Sequence, residues 1–169
     1  ILLDAAQILK DRPISFILLG DGPERSGLLE RVQRDRLGNV VLFGRIQKDE
    51  VRAFLAALDI AYIGWRRLSI YRFGISPNKL MDYMMAGCPV VHAVAAGNDP
   101  VAEAGCGVTV EPESPQALAD GIEKLAAMDR EERRAIGARG RSYVETHHTY
   151  PVLAAQFLDA LQPASARKA

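Results

Sequence analysis

The chain has 169 residues, 49% hydrophobic and 25% charged, which is the composition of one globular domain large enough to bury a core. Its 21 basic residues balance its 21 acidic residues, and this argues against a nucleic-acid-binding domain, which usually carries a basic surplus. No apolar run approaches the ~20 residues that span a bilayer, and no signal peptide is recognisable, so we expect a cytoplasmic protein.

The chain starts without Met and already inside an amphipathic helical pattern. We therefore expect it to be part of a longer polypeptide. Residues 1–162 are predicted to form one folded domain, and residues 163–169 a disordered tail.

Hydrophobic periodicity predicts helices and strands in alternation along the chain. The predicted helices cover residues 1–10, 24–37, 49–58, 77–86, 100–104, 115–128, 130–145 and 151–161. The predicted strands are short apolar runs that end near Gly or a polar residue, at residues 14–19, 40–43, 60–63, 90–93 and 107–110.

This alternation is typical of parallel βαβ units, whose right-handed crossovers place helices on both faces of the sheet. We therefore predict an α/β fold with a doubly wound, mostly parallel, Rossmann-like sheet. Ligands of such sheets bind outside the carboxyl ends of the strands. In this chain those ends are the turns at Gly20, Gly44, Gly64 and Ala93.

The segment 73–91 carries the clearest ligand-binding pattern. Ser76 is a suitable N-cap and Pro77 suits the first helical position. The main-chain amides of Asn78 and Lys79 then lie at the positive end of the helix dipole, where the Lys79 charge also favours phosphate. Asp82 is placed to accept two ribose hydroxyls, which indicates a nucleotide-sugar site. Alternatively, Asp82 is an exposed residue paired with Lys79 three positions earlier.

Two glycine turns follow the first two predicted strands. Gly20 and Gly22 either let the backbone approach a phosphate or base, or serve a tight turn only. Main-chain groups of Gly44 and Ile46 are placed to read a nucleobase edge, with Arg45 stacked on its face or merely solvated.

The stretch 64–76 is long for a connection in an α/β domain, and long loops are often functional. Three arginines accompany Trp65 and Tyr71 there, and they face either an anionic diphosphate or lipid phosphate, or solvent in a mobile loop. These arginines are Arg66, Arg67 and Arg72.

The remaining candidates for chemistry are cysteine, histidine and methionine side chains. Cys88 and Cys106 are predicted to be reduced structural thiols. His92, in an apolar strand, is predicted to be a satisfied core or crevice residue. His147 and His148 have no Cys or carboxylate at metal-ligand spacing, so no metal site is predicted. The methionines of helix 77–86 are assigned to the core.

Three segments taken together, residues 16–24, 39–46 and 76–91, resemble the C-terminal, donor-binding half of the retaining GT-B glycosyltransferases of family 4. That family has two Glu separated by seven residues. The second Glu position falls on Asp82 and the first falls on Gly74, so the motif is half lost. The string from Ser76 to Leu80 resembles a branch of bacterial amino-sugar transferases that build surface polysaccharide and lipopolysaccharide.

The resemblance implies retaining transfer from a nucleotide-diphospho-sugar, with UDP and an N-acetylated sugar favoured by the branch, and without a metal or other cofactor. It implies that an N-terminal domain binds a glycan or lipid-linked acceptor and supplies part of the catalytic cleft, including acceptor-side residues. It also implies that the first strand of the C-terminal domain precedes residue 1. Peripheral association with the inner face of a membrane would suit such an enzyme. The donor-binding residues expected are Gly20, Gly22, Gly44, Arg45, Ile46, Gly74, Ile75, Ser76, Asn78, Lys79 and Asp82.

Two other functions are compatible with the sequence. A nucleotide-sugar epimerase of the same fold would need acid and base groups at the cleft, and the cleft loops are poor in carboxylates and histidine. A degenerate, non-catalytic binding or interaction module would fit the loss of the Glu at Gly74.

Overall fold

The computed structural model describes residues 1–161, and the tail predicted for residues 163–169 lies outside the described part. Within it the strands are β1 (Phe16–Leu19), β2 (Val40–Phe43), β3 (Ala61–Gly64), β4 (Val90–Ala93) and β5 (Gly107–Val110). The helices are α1 (Leu2–Ile8), α2 (Arg25–Arg34), α3 (Glu50–Ala56), α4 (Asn78–Met85), α5 (Pro100–Ala104), α6 (Pro115–Ala126), α7 (Arg130–His147) and α8 (Tyr150–Leu161). A short 3₁₀ helix, Ser69–Phe73, lies between β3 and α4.

All strand pairs in the described chain are parallel, which confirms the predicted α/β class. β1 pairs with β2, with Phe16 opposite Val40. β4 lies between β3 and β5, with Val90 opposite both Ala61 and Gly107. The strands thus form a two-stranded and a three-stranded sheet instead of one continuous sheet.

Every residue of the central strand β4 is buried, because helices cover both faces of the three-stranded sheet. Val91 belongs to a core cluster that includes Phe16 of β1 and residues of α1 and α6. Val90 faces the other way, into a cluster with Leu80 of α4 and Val144 of α7. The first cluster joins the two sheets, since it contains residues from both.

The structure confirms the predicted starts of α6 at Pro115 and of α7 at Arg130, and both helices have side-chain N-caps. The Ser114 hydroxyl accepts a hydrogen bond from the Ala117 N–H at 3.2 Å. At α7, Asp129 and Glu132 form a reciprocal capping box. Such caps satisfy main-chain donors that a helix start leaves unpaired.

Candidate functional site

The carboxyl ends of β1 and β2 bring the two predicted glycine turns together. The Gly20 N–H donates to the carbonyl of Phe43 at 3.3 Å, one residue before Gly44. Gly20 and Gly22 are exposed, and no atom lies within 4 Å of where their Cβ atoms would be. The backbone here is open to a ligand, as a phosphate- or base-contacting turn requires.

The end of β3 leads into a loop that is ordered by aromatic packing. The Trp65 N–H donates to the Ala93 carbonyl of β4 at 3.0 Å. Its ring meets Tyr71 edge to face, with 5.4 Å between ring centroids. This arrangement is a favourable aromatic geometry, and it holds the 3₁₀ helix against the end of the sheet.

Two of the three loop arginines have partners within the chain. Arg67 pairs with Glu111, and its main-chain N–H donates to Glu113 at 3.2 Å. The Arg72 guanidinium lies 4.5 Å from the centroid of the Phe73 ring. The charge of Arg67 is therefore already neutralised by Glu111. Because this ion pair is exposed, an anionic ligand could replace Glu111 at low cost.

The predicted N-cap role of Ser76 is wrong, because α4 starts at Asn78 and its N-cap is Pro77. Pro77 has φ −81° and ψ 124°, an extended conformation, and no side chain caps the helix. The Leu80 N–H donates to the Pro77 carbonyl at 3.1 Å. A residue before proline is disfavoured in the helical region, which moves the start of the helix past Ser76.

Two of the amides expected to face the ligand are already used inside the protein. The Gly74 N–H donates to the Tyr71 carbonyl at 2.9 Å, and the Ile75 N–H donates to Oδ1 of Asn98 at 2.7 Å. The N–H groups of Ser76, Asn78 and Lys79 have no acceptor among residues 1–161. Those of Asn78 and Lys79 are unpaired donors of the helix N-terminus, and that of Ser76 lies just before its N-cap.

Lys79 and Asp82 are both exposed, and no ion pair joins them. The alternative interpretation of Asp82 as the i+3 partner of Lys79 is therefore wrong. Met84, on the opposite side of the helix, is fully buried, whereas Met85 is 46% exposed, so the assignment of all the methionines to the core fails at Met85. The helix thus presents a cation at its first turn and a carboxylate one turn later.

His92 is fully buried at the end of β4, and it is only partly satisfied. Its Nδ1 lies 2.9 Å from Oδ1 of Asp99, while its Nε2 has no hydrogen-bond partner in the described part of the chain. Burial raises the pKa of Asp99, but hydrogen bonds from His92, Thr109 and the Ala102 amide outweigh it, so this pKa lies below its ordinary value. Asp99 also accepts from the Val101 N–H at 3.1 Å, as the N-cap of α5.

Sequence reasoning overlooked both Asn98 and Asp99. Asp99 is recognisable in principle, because Asp followed by Pro at the start of a helix is a common N-cap pattern. Asn98 is not, because its partner Ile75 is 23 residues away.

The two cysteines are buried and free, as predicted for structural thiols. Burial raises the pKa of Cys88 to about 12 and that of Cys106 to about 11. His147 and His148 pack against Tyr143, with ring centroids at 4.8 and 5.5 Å. Within residues 1–161 no three His, Cys, Asp or Glu side chains cluster at metal-binding distance; the prediction of metal-free chemistry stays a prediction.

None of the helices in the described part of the chain combines the length and apolar character required to cross a bilayer.

Comparison with curated proteins finds the probable glycosyltransferase WbjE of Pseudomonas aeruginosa, 25% identical over 166 residues. The match covers 96% of this chain and 40% of that protein. The chain therefore spans less than half the length of this relative.

Solved structures share the fold. Sucrose-phosphate synthase from Thermosynechococcus elongatus superposes with a TM-score of 0.75 at 23% identity, over 94% of this chain and 40% of that one. HepE from Anabaena, in complex with UDP, superposes with a TM-score of 0.74 at 22% identity, over 95% of this chain and 43% of that one. Both matches support the Rossmann-like α/β assignment.

A family model described as glycosyl transferases group 1 matches residues 1–128, which include the glycine turns, the loop after β3 and all of α4. The chain belongs to this family of GT-B glycosyltransferases.

Proposed function

We propose that this chain is the donor-binding domain of a retaining glycosyltransferase and that α4 binds the diphosphate of a nucleotide sugar. One observation carries the proposal: at the start of a helix whose first turn holds a lysine, the N–H groups of Ser76, Asn78 and Lys79 find no acceptor within residues 1–161. Unpaired amides, the helix dipole and a cation together favour phosphate over water.

The chemistry follows from where negative charge develops. As the anomeric bond stretches, charge accumulates on the departing diphosphate, and fixed donors at α4 stabilise it without reorganisation. Asp82, exposed one turn along the helix, would accept the ribose hydroxyls and fix the register of the donor. Main-chain groups of Gly44 and Ile46 would meet the base, with Arg45 beside it. An acceptor attacking from the face of the leaving group would give retention, and no step needs a metal.

We further propose UDP linked to an N-acetylated sugar as the donor, and a bacterial surface polysaccharide or lipopolysaccharide as the product. The support is the resemblance at residues 76–80, together with HepE, which was solved with UDP. A hexose donor and a glycan or lipid-linked acceptor follow from the same resemblance.

The chain spans 40% of its relative WbjE, so the acceptor site and catalytic residues would lie in another part of a full-length enzyme. We expect the isolated chain to bind nucleotide weakly and to transfer no sugar. Peripheral association with the cytoplasmic face of a membrane would belong to the full-length enzyme.

Calorimetric titration of the chain with UDP and GDP tests this function. We expect saturable binding of UDP, weakened by about 1–3 kcal/mol in Asp82→Ala because a charged hydrogen bond to the ribose is lost. Asp120→Ala, which removes another exposed helical carboxylate, is the matched control and should leave affinity unchanged.

Absence of binding to both nucleotides would reject the donor site and favour a degenerate module. Interconversion of UDP-sugar epimers by the chain would favour the epimerase alternative. Sugar transfer by the chain alone would contradict the expected need for a second domain.

A further inference from the structure

The segment between β4 and α5 is docked against the loop that precedes α4. The Gly97 N–H donates to the Tyr71 carbonyl at 2.8 Å. A Cβ at Gly97 would collide with the main-chain carbonyl of Arg72, so the two backbones approach as closely as glycine allows. The residues 97–99 form what we call the latch.

Asn98 of the latch makes a two-point contact with one residue of the loop. Its Oδ1 accepts from the Ile75 N–H at 2.7 Å, and its Nδ2 donates to the Ile75 carbonyl at 3.0 Å. The side-chain amide thereby satisfies both main-chain groups of Ile75, as a neighbouring strand would.

The second of these bonds fixes the direction of a donor that has no partner among residues 1–161. The carbonyl of Ile75 and the N–H of Ser76 belong to the same planar trans peptide group, so their directions are opposite and coupled. Because Asn98 holds the Ile75 carbonyl, the Ser76 N–H points away from the Asn98 side chain. Only Pro77 separates Ser76 from Asn78, the first residue of α4. The contact of Asn98 with Ile75 therefore also sets the direction in which the chain enters the helix.

The latch is itself tied to the sheet. Asp99 follows Asn98 directly and bonds to His92 of β4 and Thr109 of β5. It also caps α5 through the N–H groups of Val101 and Ala102. The anchor for Ile75 is therefore fixed to two strands and a helix as well as to the loop it holds.

The space that Asn98 occupies is the space that a side chain at position 74 would need. A Cβ at Gly74 would lie 3.1 Å from Oδ1 of Asn98, and Gly74 has φ +102°, which side chains rarely adopt. Gly74 stands where the resembling family has the first Glu of its motif. A side chain at position 74 would therefore press on Oδ1 of Asn98 and require it to shift by a few tenths of an ångström.

We infer that Asn98 is a positioning residue for nucleotide binding: it holds both main-chain groups of Ile75, so that the Ser76, Asn78 and Lys79 amides are aligned for the donor diphosphate. The inference rests on the proposed donor site at α4. It predicts a defect centred on the diphosphate, since the base would be read at Gly44 and Ile46 and the ribose by Asp82, one turn further along α4.

The test compares UDP with uridine, which lacks the diphosphate, by NMR titration of the 169-residue chain. Asn98→Ala should weaken UDP binding about tenfold, which corresponds to one or two hydrogen bonds that the misaligned amides no longer make to the diphosphate. It should change the affinity for uridine less than twofold. Gly97→Ala should reproduce this pattern, because its Cβ would push the latch off the loop without removing Asn98. It also serves if Asn98→Ala does not fold.

Asn39→Ala is the matched control, because Asn39, just before β2, likewise donates to a main-chain carbonyl, that of Ala6 in α1, at 3.0 Å. It should leave the ratio of UDP to uridine affinity unchanged. Equal weakening of both ligands in the latch variants, or unchanged UDP affinity, would overturn the inference while leaving the donor site standing. A wild-type chain that binds neither UDP nor GDP would overturn both.

Discussion

Asp99 offers a direct test of how the end of β4 is held together, by the substitution Asp99→Ala. This carboxylate is 22% exposed and bonds at once to His92, Thr109 and the first turn of α5. Losing an N-cap costs about 1 kcal/mol. Leaving the buried Nδ1 of His92 without a partner costs about 1–3 kcal/mol more. We therefore expect the free energy of unfolding to fall by about 2–4 kcal/mol in total.

Asp129→Ala provides the matched control, because Asp129 is also an Asp N-cap, at α7, but bonds to no histidine. It should cost about 1 kcal/mol. The difference between the two variants measures what Asp99 contributes beyond capping. Urea unfolding at pH 7, followed by circular dichroism, gives both values.

A double-mutant cycle with His92→Leu isolates the contact between the two side chains. In that background Asp99→Ala should cost only the capping energy, because no buried imidazole remains to be stranded. If Asp99→Ala costs no more than Asp129→Ala in the wild-type chain, the buried pair does not stabilise the fold and the reasoning is wrong.

Three further predictions follow from burial and close packing. The pKa of Asp99 in the folded chain lies below its ordinary value of 3.8, so its contribution to stability is complete above pH 3.8 and is lost as pH falls through the folded pKa. Urea unfolding between pH 7 and 3 should therefore show the free energy of unfolding falling at the acid end. Asp99→Asn should reduce this pH dependence. Gly137→Ala places a Cβ against a main-chain carbonyl of the turn before β4 and should cost about 1–3 kcal/mol, whereas Gly27→Ala, with open space around it, should gain about 0.5–1 kcal/mol; equal thermal shifts would contradict this. Cys88 and Cys106, whose pKa values burial raises to about 12 and 11, should react with a disulfide reagent at pH 8 only on unfolding, and rapid labelling of the native chain would refute their burial.

The elements best predicted from sequence are those fixed by local pattern. The pattern predicts the strands at 40–43, 90–93 and 107–110 to the residue, since each is a short run that contains at least two β-branched residues. Helix ends were predicted less well. The pattern extends α2 to residue 37, but the helix ends at Arg34 and Leu37 is buried beyond it. Apolar spacing identifies a buried residue, but it does not distinguish the last helical turn from the turn after it.

The candidate site was only partly readable, for a physical reason. Lys79 and Asp82 can be predicted from sequence because a lysine at the start of a helix favours phosphate and a carboxylate one turn later suits a sugar hydroxyl. The role of Asn98 depends on a contact across 23 residues, and the use of the Ile75 amide is decided by that contact. Which amides remain free for a ligand is therefore a property of tertiary structure.

The central claim is that the start of α4 binds the donor diphosphate. The most direct measurement is the set of main-chain ¹⁵N–H chemical shifts of the chain during titration with UDP and, separately, with uridine. The account predicts that Ser76, Asn78 and Lys79 shift and saturate with UDP but not with uridine, while the paired amides of Gly74 and Ile75 shift less. Saturable UDP binding that leaves these three amides unmoved would contradict it.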